Sequence, residues 1–390
     1  MPPRRSPRRP LALATLALHG ARTAHRAGDP VVEPLVQSVN HLQPLGTAEG
    51  LLYTRYGNTP TAERVQRRIA LLEGAERALL CSSGMGATAC TFTALVGPGD
   101  HLLTSRYIYG GTHRLFFEEL PAMGVTVTTF DPFVPGDFDA ALRPSTRAVF
   151  LESPVNPTTR VLDLAPIARV TRRRGIPLVV DSTFASPINF RPLEHGADVV
   201  IQSATKFLNG HHDVLMGVVS GSAAVIDRVL AKEMLWGQTP DPFAIWLLER
   251  GLKTLGIRVE RANASALTIA RWAERQRGVR RVHYPGLRSH PDHRVARRTL
   301  DGFGGMLALE LAGGARAATR VLRRLQVITH ATSLGGVDSL VCEPRFTSHA
   351  AMTPRARARL GIPDGFLRFS IGVEAVEDLL ADLAQALGPS

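Results

Sequence analysis

Apolar residues along this chain follow two periods, and from about residue 60 to residue 240 the two alternate. Helical spacing over 62–72 and 164–174 is interleaved with short apolar runs at 77–81, 100–104, 125–130, 148–151, 176–180 and 199–202. Each run has about the length of one strand. Ser82-Ser-Gly-Met-Gly-Ala87 closes the first run and opens another helix. This alternation predicts an α/β domain, helices packed on a mostly parallel sheet. Past Pro240-Asp-Pro-Phe243 the pattern changes to a long helix over 244–273, weakened at Gly251 and Gly256. Strands at 306–311 and 367–371 then mix with helices at 315–325 and 376–387. The expected organisation is a disordered tail and N-terminal arm over 1–50, the α/β domain over 51–243 and a smaller C-terminal α+β domain over 244–390.

At 390 residues the chain has the length of roughly two to three domains. Its 44% hydrophobic and 21% charged residues are those of a globular protein, and no run of eighteen apolar residues is present to span a bilayer. A formal charge of +12 would suggest a nucleic-acid partner if it came from a basic surface. Of the 46 basic residues, however, only Lys206, Lys232 and Lys253 are lysines, leaving 43 arginines. So lopsided a preference, in a chain rich in Ala and Gly, reads as a habit of codon composition, and no nucleic-acid partner is expected.

Arg4, Arg5, Arg8 and Arg9 fall in a Pro-rich opening that cannot form a packed core. Leu11-Ala-Leu-Ala-Thr-Leu-Ala-Leu18 follows and resembles a short signal sequence, but no convincing small-residue cleavage site lies behind it. The stretch equally suits the first turns of a helix. Cys81, Cys90 and Cys342 are too few and too scattered for a disulfide framework or a zinc site, so a reducing cytoplasm and no metal are expected.

The scarcity of lysine singles out Lys206, because catalysis through a Schiff base with pyridoxal phosphate (PLP) requires a lysine. It follows an apolar strand end in Val199-Val-Ile-Gln-Ser-Ala-Thr-Lys206, at the sheet edge where open α/β folds place ligands. A solvated turn lysine would look the same. Ser203 and Thr205, however, set hydroxyls beside the amine, as a phosphate ester held next to an aldehyde requires. The Ser82–Ala87 turn can offer N–H groups to an anion, or simply cap its helix. Asp181 ends the run from Ile176, where a carboxylate can keep a pyridine nitrogen protonated or act as a turn residue. Tyr109 offers a ring for stacking and a hydroxyl for proton transfer, or is a core tyrosine.

Together these residues resemble the Cys/Met-metabolism PLP enzymes, which include cystathionine γ-synthase, cystathionine lyases, methionine γ-lyase and homoserine-ester sulfhydrylases. The resemblance covers about residues 12 to 388. It is carried by Thr15-Leu-Ala-Leu-His19, Tyr53-Thr-Arg-Tyr-Gly-Asn58, Ser83-Gly-Met85, Glu152-Ser-Pro-Val-Asn-Pro157, Asp181-Ser-Thr183 and Ser203-Ala-Thr-Lys-Phe-Leu-Asn-Gly210. Ser333-Leu-Gly-Gly-Val-Asp-Ser339, Leu360-Gly-Ile-Pro-Asp-Gly365 and Arg368-Phe-Ser-Ile-Gly-Val-Glu374 continue it.

The resemblance implies the PLP-dependent transferase fold of type I, with helices on both faces of the sheet. It implies that Lys206 bonds the cofactor and shuttles protons, that Asp181 pairs with the pyridine nitrogen, and that Gly84, Met85, Ser203 and Thr205 hold the phosphate. Tyr53 and Arg55 would reach the phosphate of a neighbouring subunit's cofactor, making a dimer the minimal active unit and a homotetramer, a dimer of active dimers, the usual assembly. Tyr109 would stack on the ring and serve as acid or base at the leaving group, Asn156 would touch the pyridine hydroxyl oxygen, and Ser333 with Arg368 would grip the substrate α-carboxylate.

The implied activity makes or breaks C–S bonds at Cγ of sulfur amino acids or activated homoserine, by γ-elimination or by γ-replacement with a thiol. Cystathionine enzymes place acidic residues just before the Tyr-x-Arg and Ser-Leu-Gly segments; here those positions are Leu52 and Thr332. Methionine γ-lyases carry a cysteine two residues after the stacking tyrosine; here it is Gly111. The first departure favours a sulfhydrylase or methionine-type lyase, with cystathionine γ-synthase or a cystathionine lyase as the alternative. A basic nucleic-acid-binding protein without catalysis is the alternative of another class.

Overall fold

The computed structural model describes residues 11–21, 27–350 and 352–388. Arg4, Arg5, Arg8 and Arg9 therefore lie outside the described residues, with the rest of the Pro-rich opening. The first sheet has seven strands, β1 (Arg77–Cys81), β2 (His101–Ser105), β3 (Thr126–Phe130), β4 (Thr146–Glu152), β5 (Leu178–Asp181), β6 (Val199–Ser203) and β7 (Gly217–Gly221). In space they run β1-β7-β6-β5-β4-β2-β3. Only β7 opposes its neighbours; the other pairings are parallel, so the sheet is mostly parallel as its sequence pattern predicts.

The apolar runs are continuous because both faces of the sheet are covered. Leu102, Ala148, Phe150, Val179, Val199, Ile201 and Val219 share one core with Ala87, Cys90, Ile226 and Val229 from helices Gly84–Leu95 and Ala223–Trp236. Leu103, Val149, Leu151, Leu178 and Val180 face the other way, onto Ile167 and Ala168 of helix Leu164–Arg174. Asp163 caps that helix by accepting from the Ala165 N–H, and Gly175 ends it with φ +62°.

A second sheet holds β8 (Val279–His283), β9 (Met306–Leu311), β10 (Thr329–His330), β11 (Leu340–Cys342) and β12 (Phe366–Ser370), in the order β10-β11-β12-β9-β8. The segment 11–18 begins helix Leu13–His19, whose Ala17 is buried in a third core. That core also takes Ile69, Leu80, Val218, Leu248, Leu255, Val259 and Met306.

One expectation is corrected, and one strand was not foreseen. The helix over 244–273 is two helices, Pro242–Leu252 and Leu255–Ala273. The break falls between the two glycines because the buried Arg258 turns back there, donating to the carbonyl of Gly251 (2.9 Å) and to the Thr254 hydroxyl (3.0 Å). Strand β7 had no counterpart in the sequence reading, since Gly-Val-Val-Ser-Gly is short and bounded by residues that ordinarily mark turns. Gly217 is required there because a Cβ would sit 2.6 Å from the carbonyl carbon of Ser83.

Candidate active site

The carboxyl ends of β4, β5 and β6 open on a cavity of about 390 Å³ lined by Glu152, Asp181, Ser203, Lys206, Ser333 and Arg368 among others. Ligands bind at this edge in open α/β sheets, where successive strands end and loops diverge. Three residues after β6, Lys206 reaches Nζ across to the Ser333 hydroxyl at 2.8 Å. The backbone behind it is pinned by Arg258, whose guanidinium donates to the carbonyls of Phe207 (2.8 Å) and Leu208 (3.3 Å). The sequence reading passed over Arg258, because one helical arginine out of 43 carries no signal until its partners are known.

One end of the cavity suits a phosphate. Ser83 caps helix Gly84–Leu95 by accepting from the Gly86 N–H at 2.9 Å, and a Cβ on Gly84 would stand 2.9 Å from Ser203 Cβ. Glycine therefore lets the helix start against the end of β6, leaving backbone N–H groups at the cavity. Gln238 braces this turn, accepting from Ser82 N (2.6 Å) and from the Ser82 hydroxyl (2.8 Å). Met85, Ser203 and Thr205 line the same end, although the Thr205 hydroxyl already bonds both the N–H and the carbonyl of Met216.

Asp181 accepts from the Thr183 N–H at 2.8 Å, while the Thr183 hydroxyl accepts from Ser203 N. Burial pushes the Asp181 carboxyl up. An unpaired acid in this position gains from a cationic ring nitrogen, which would restore its charge. Tyr109 stands at the mouth, 42% exposed, and a side chain on Gly111 would meet its ring at 2.6 Å. The buried Asn156 and Arg368 join at 3.2 Å, Arg368 Nη2 donates to the Ser333 carbonyl at 2.8 Å, and Arg368 Nε is buried without a partner. Ser333 holds φ +81°, a backbone state that costs on the order of 1–3 kcal/mol for a residue with a side chain. That conformation aims its hydroxyl at Lys206 and its carbonyl at Arg368.

Tyr53 and Arg55 are not among the cavity's lining residues. Tyr53 precedes the 3-10 turn Thr54–Tyr56 and Arg55 lies within it, exposed and donating to the Met234 carbonyl at 3.3 Å. Glu152, by contrast, lines the cavity although the sequence reading gave it no role. Among the described residues no group of three His, Cys, Asp or Glu could hold a metal ion.

The arrangement fits PLP: an amine for its aldehyde, a buried acid for its ring nitrogen, a glycine-opened helix start for its phosphate and an aromatic face beside them. Burial, then the Arg368 charge, pulls the Lys206 ammonium down to about 8. Lowering favours the neutral amine, which is the form that attacks an aldehyde. The capture of PLP by apoenzyme is therefore expected to quicken as pH rises through about 8. An unshifted lysine is well under about 1% neutral at that pH. Stopped-flow absorbance across pH 6 to 10 measures this, roughly spanning the usual and shifted values; a midpoint above about 10 would contradict it.

The model of the Cys/Met metabolism PLP-dependent enzyme family matches residues 14–388. The chain is 38% identical to the L-methionine gamma-lyase of Pseudomonas putida over 97% of both chains. It is 40% identical to the O-succinylhomoserine sulfhydrylase of Pseudomonas aeruginosa over 88% of this chain and 85% of that one. The solved structure of cystathionine gamma synthase from Xanthomonas oryzae pv. oryzae superposes with a TM-score of 0.93 at 38% identity, covering 97% of this chain and 98% of the other.

Proposed function

The chain belongs to the Cys/Met metabolism PLP-dependent enzymes, carbon–sulfur lyases and transferases, and on that premise we propose that its substrates have a short or apolar distal end. Methionine, or an O-acylhomoserine with a simple thiol, fits this description. The observation that carries the proposal is the charge of the cavity wall. Its only acidic lining residues, among the described residues, are Glu152 and Asp181. Both are already engaged, Glu152 by the N–H groups of Tyr109 and Asn156, Asp181 by that of Thr183. Lys206 and Arg368 supply positive charge, and Thr332 stands in the lining where a carboxylate would have met a distal ammonium.

When bound, PLP supplies an electron sink that acidifies first Cα–H and then Cβ–H of the amino acid. Lys206 Nζ takes the Cα proton and returns it, Arg368 with Ser333 fixes the α-carboxylate, and the Tyr109 hydroxyl delivers a proton to the departing sulfur or oxygen. Gly84, Met85, Ser203 and Thr205 hold the phosphate, Asp181 the ring nitrogen and Asn156 the ring hydroxyl. Tyr53 and Arg55 act on a neighbouring subunit's site within a homotetramer, a reading supported by their position outside the chain's own cavity. Exposed Val31, Leu42 and Leu45 in the preceding arm, 81%, 101% and 98% accessible, suit the same contact. No helix among the described residues is long and apolar enough to cross a membrane. The three free, buried cysteines support a cytoplasmic setting.

Comparing kcat/KM for methionine, cystathionine and acyl-homoserines with simple thiols tests the proposal. Simple substrates are expected to exceed cystathionine about tenfold, the effect of roughly one missing charged hydrogen bond. Leu52→Asp with Thr332→Glu is expected to shift the ratio back toward cystathionine. A tenfold or greater preference of the unmodified enzyme for cystathionine, roughly the same energy with opposite sign, would overturn it and restore the cystathionine alternative.

A further inference from the structure

Glu152 ends β4 directly opposite Asp181 of β5 and is only 5% exposed. Its two carboxylate oxygens are divided between two separate walls of the cavity. Oε2 accepts from the backbone N–H of Tyr109 at 2.8 Å, and Oε1 from that of Asn156 at 2.7 Å. Tyr109 begins helix Gly110–Arg114 with no capping side chain of its own. Asn156 passes the constraint on, since its side chain meets Arg368, which holds the Ser333 carbonyl, and Ser333 in turn receives the Lys206 amine.

We propose that Glu152 is a positioning residue, one carboxylate that fixes the ring-stacking Tyr109 and the Asn156–Arg368 carboxylate grip relative to each other. The proposal rests on the family reading of Tyr109, Asn156 and Arg368 and adds a role for a residue that touches both. As mere filling, an acid is a poor choice here, because burying a carboxyl with no cationic partner is costly. Burial, then the neighbouring Asp181, pushes Glu152 up to about 8, and the two N–H groups offset part of that penalty. What a carboxyl offers, and an amide or apolar side chain does not, is an acceptor on each of two oxygens at once.

Glu152→Gln tests this directly, since the amide keeps the volume but turns an N–H₂ donor toward one of the two backbone N–H groups. The variant holoenzyme is expected to keep its PLP on Lys206 and its far-ultraviolet dichroism. Its visible dichroism, which reports how the ring is held against Tyr109, should change, and kcat/KM should fall about ten- to a hundredfold. Glu152→Asp keeps the carboxyl but loses the reach, so it carries the same expectation if the glutamine variant does not accumulate. Visible dichroism identical to the unmodified enzyme, with kcat/KM within about twofold, would overturn the positioning role while leaving the family reading intact. Absence of a PLP band from the unmodified protein would instead overturn both.

Discussion

Lys206→Ala is expected to abolish the PLP absorption band of the linked cofactor and to lower kcat by at least about a thousandfold, because the residue both bonds the cofactor and moves the Cα proton. No neighbouring amine can substitute. Lys232 and Lys253 are the other lysines of the chain, and neither lines the cavity. The same variant probes the assembly. Arg55→Ala alone should weaken PLP retention, and hybrids of Arg55→Ala with Lys206→Ala chains should regain activity, since each such pair rebuilds one complete site. Inactive hybrids would count against a site shared between subunits.

Arg368→Leu is expected to raise KM for the amino acid steeply, with kcat/KM falling by a factor of about 30 to several thousand. That range is the roughly 2–5 kcal/mol lost when a buried, hydrogen-bonded charge is removed from its partner. The guanidinium is 6% exposed, already bonded to Asn156 and Ser333, and its Nε has no partner in the protein. An incoming carboxylate gives that fork its counter-charge. Arg368→Lys should recover only part of the loss, since an ammonium lacks the planar fork that pairs bidentately with a carboxylate. Arg368 also contributes to lowering Lys206, so the pH midpoint for PLP capture should move above about 8 in the leucine variant. Steady-state kinetics with the preferred substrate settle the first point; a KM within about twofold of the unmodified enzyme would refute the grip.

What could be read from the sequence was what depends on local order. Helices Leu164–Arg174 and Val376–Leu387 and strand Met306–Leu311 have the bounds their periodicity predicts, since each has one clear apolar face or run. Asp181 and Ser203 were visible because each ends a strand, and Lys206 because it closely follows one; the structure gathers them in one cavity with Tyr109, Asn156 and Arg368. What stayed hidden depends on contacts distant in sequence. Strand β7 lies antiparallel between β1 and β6, a placement no local pattern encodes. Arg258 pins the backbone behind Lys206 by binding carbonyls some fifty residues away. Glu152 sat in a recognised motif, yet its task shows only when Tyr109, 43 positions earlier, arrives at its oxygen.

Reduction of the holoenzyme with borohydride, followed by peptide mapping, tests the central claim most directly, because it makes the lysine–cofactor bond permanent and locates it. The account predicts one pyridoxyl group per chain, on the peptide containing Ser203-Ala-Thr-Lys206. A label on Lys232 or Lys253, or a chain that takes up no PLP, would contradict it.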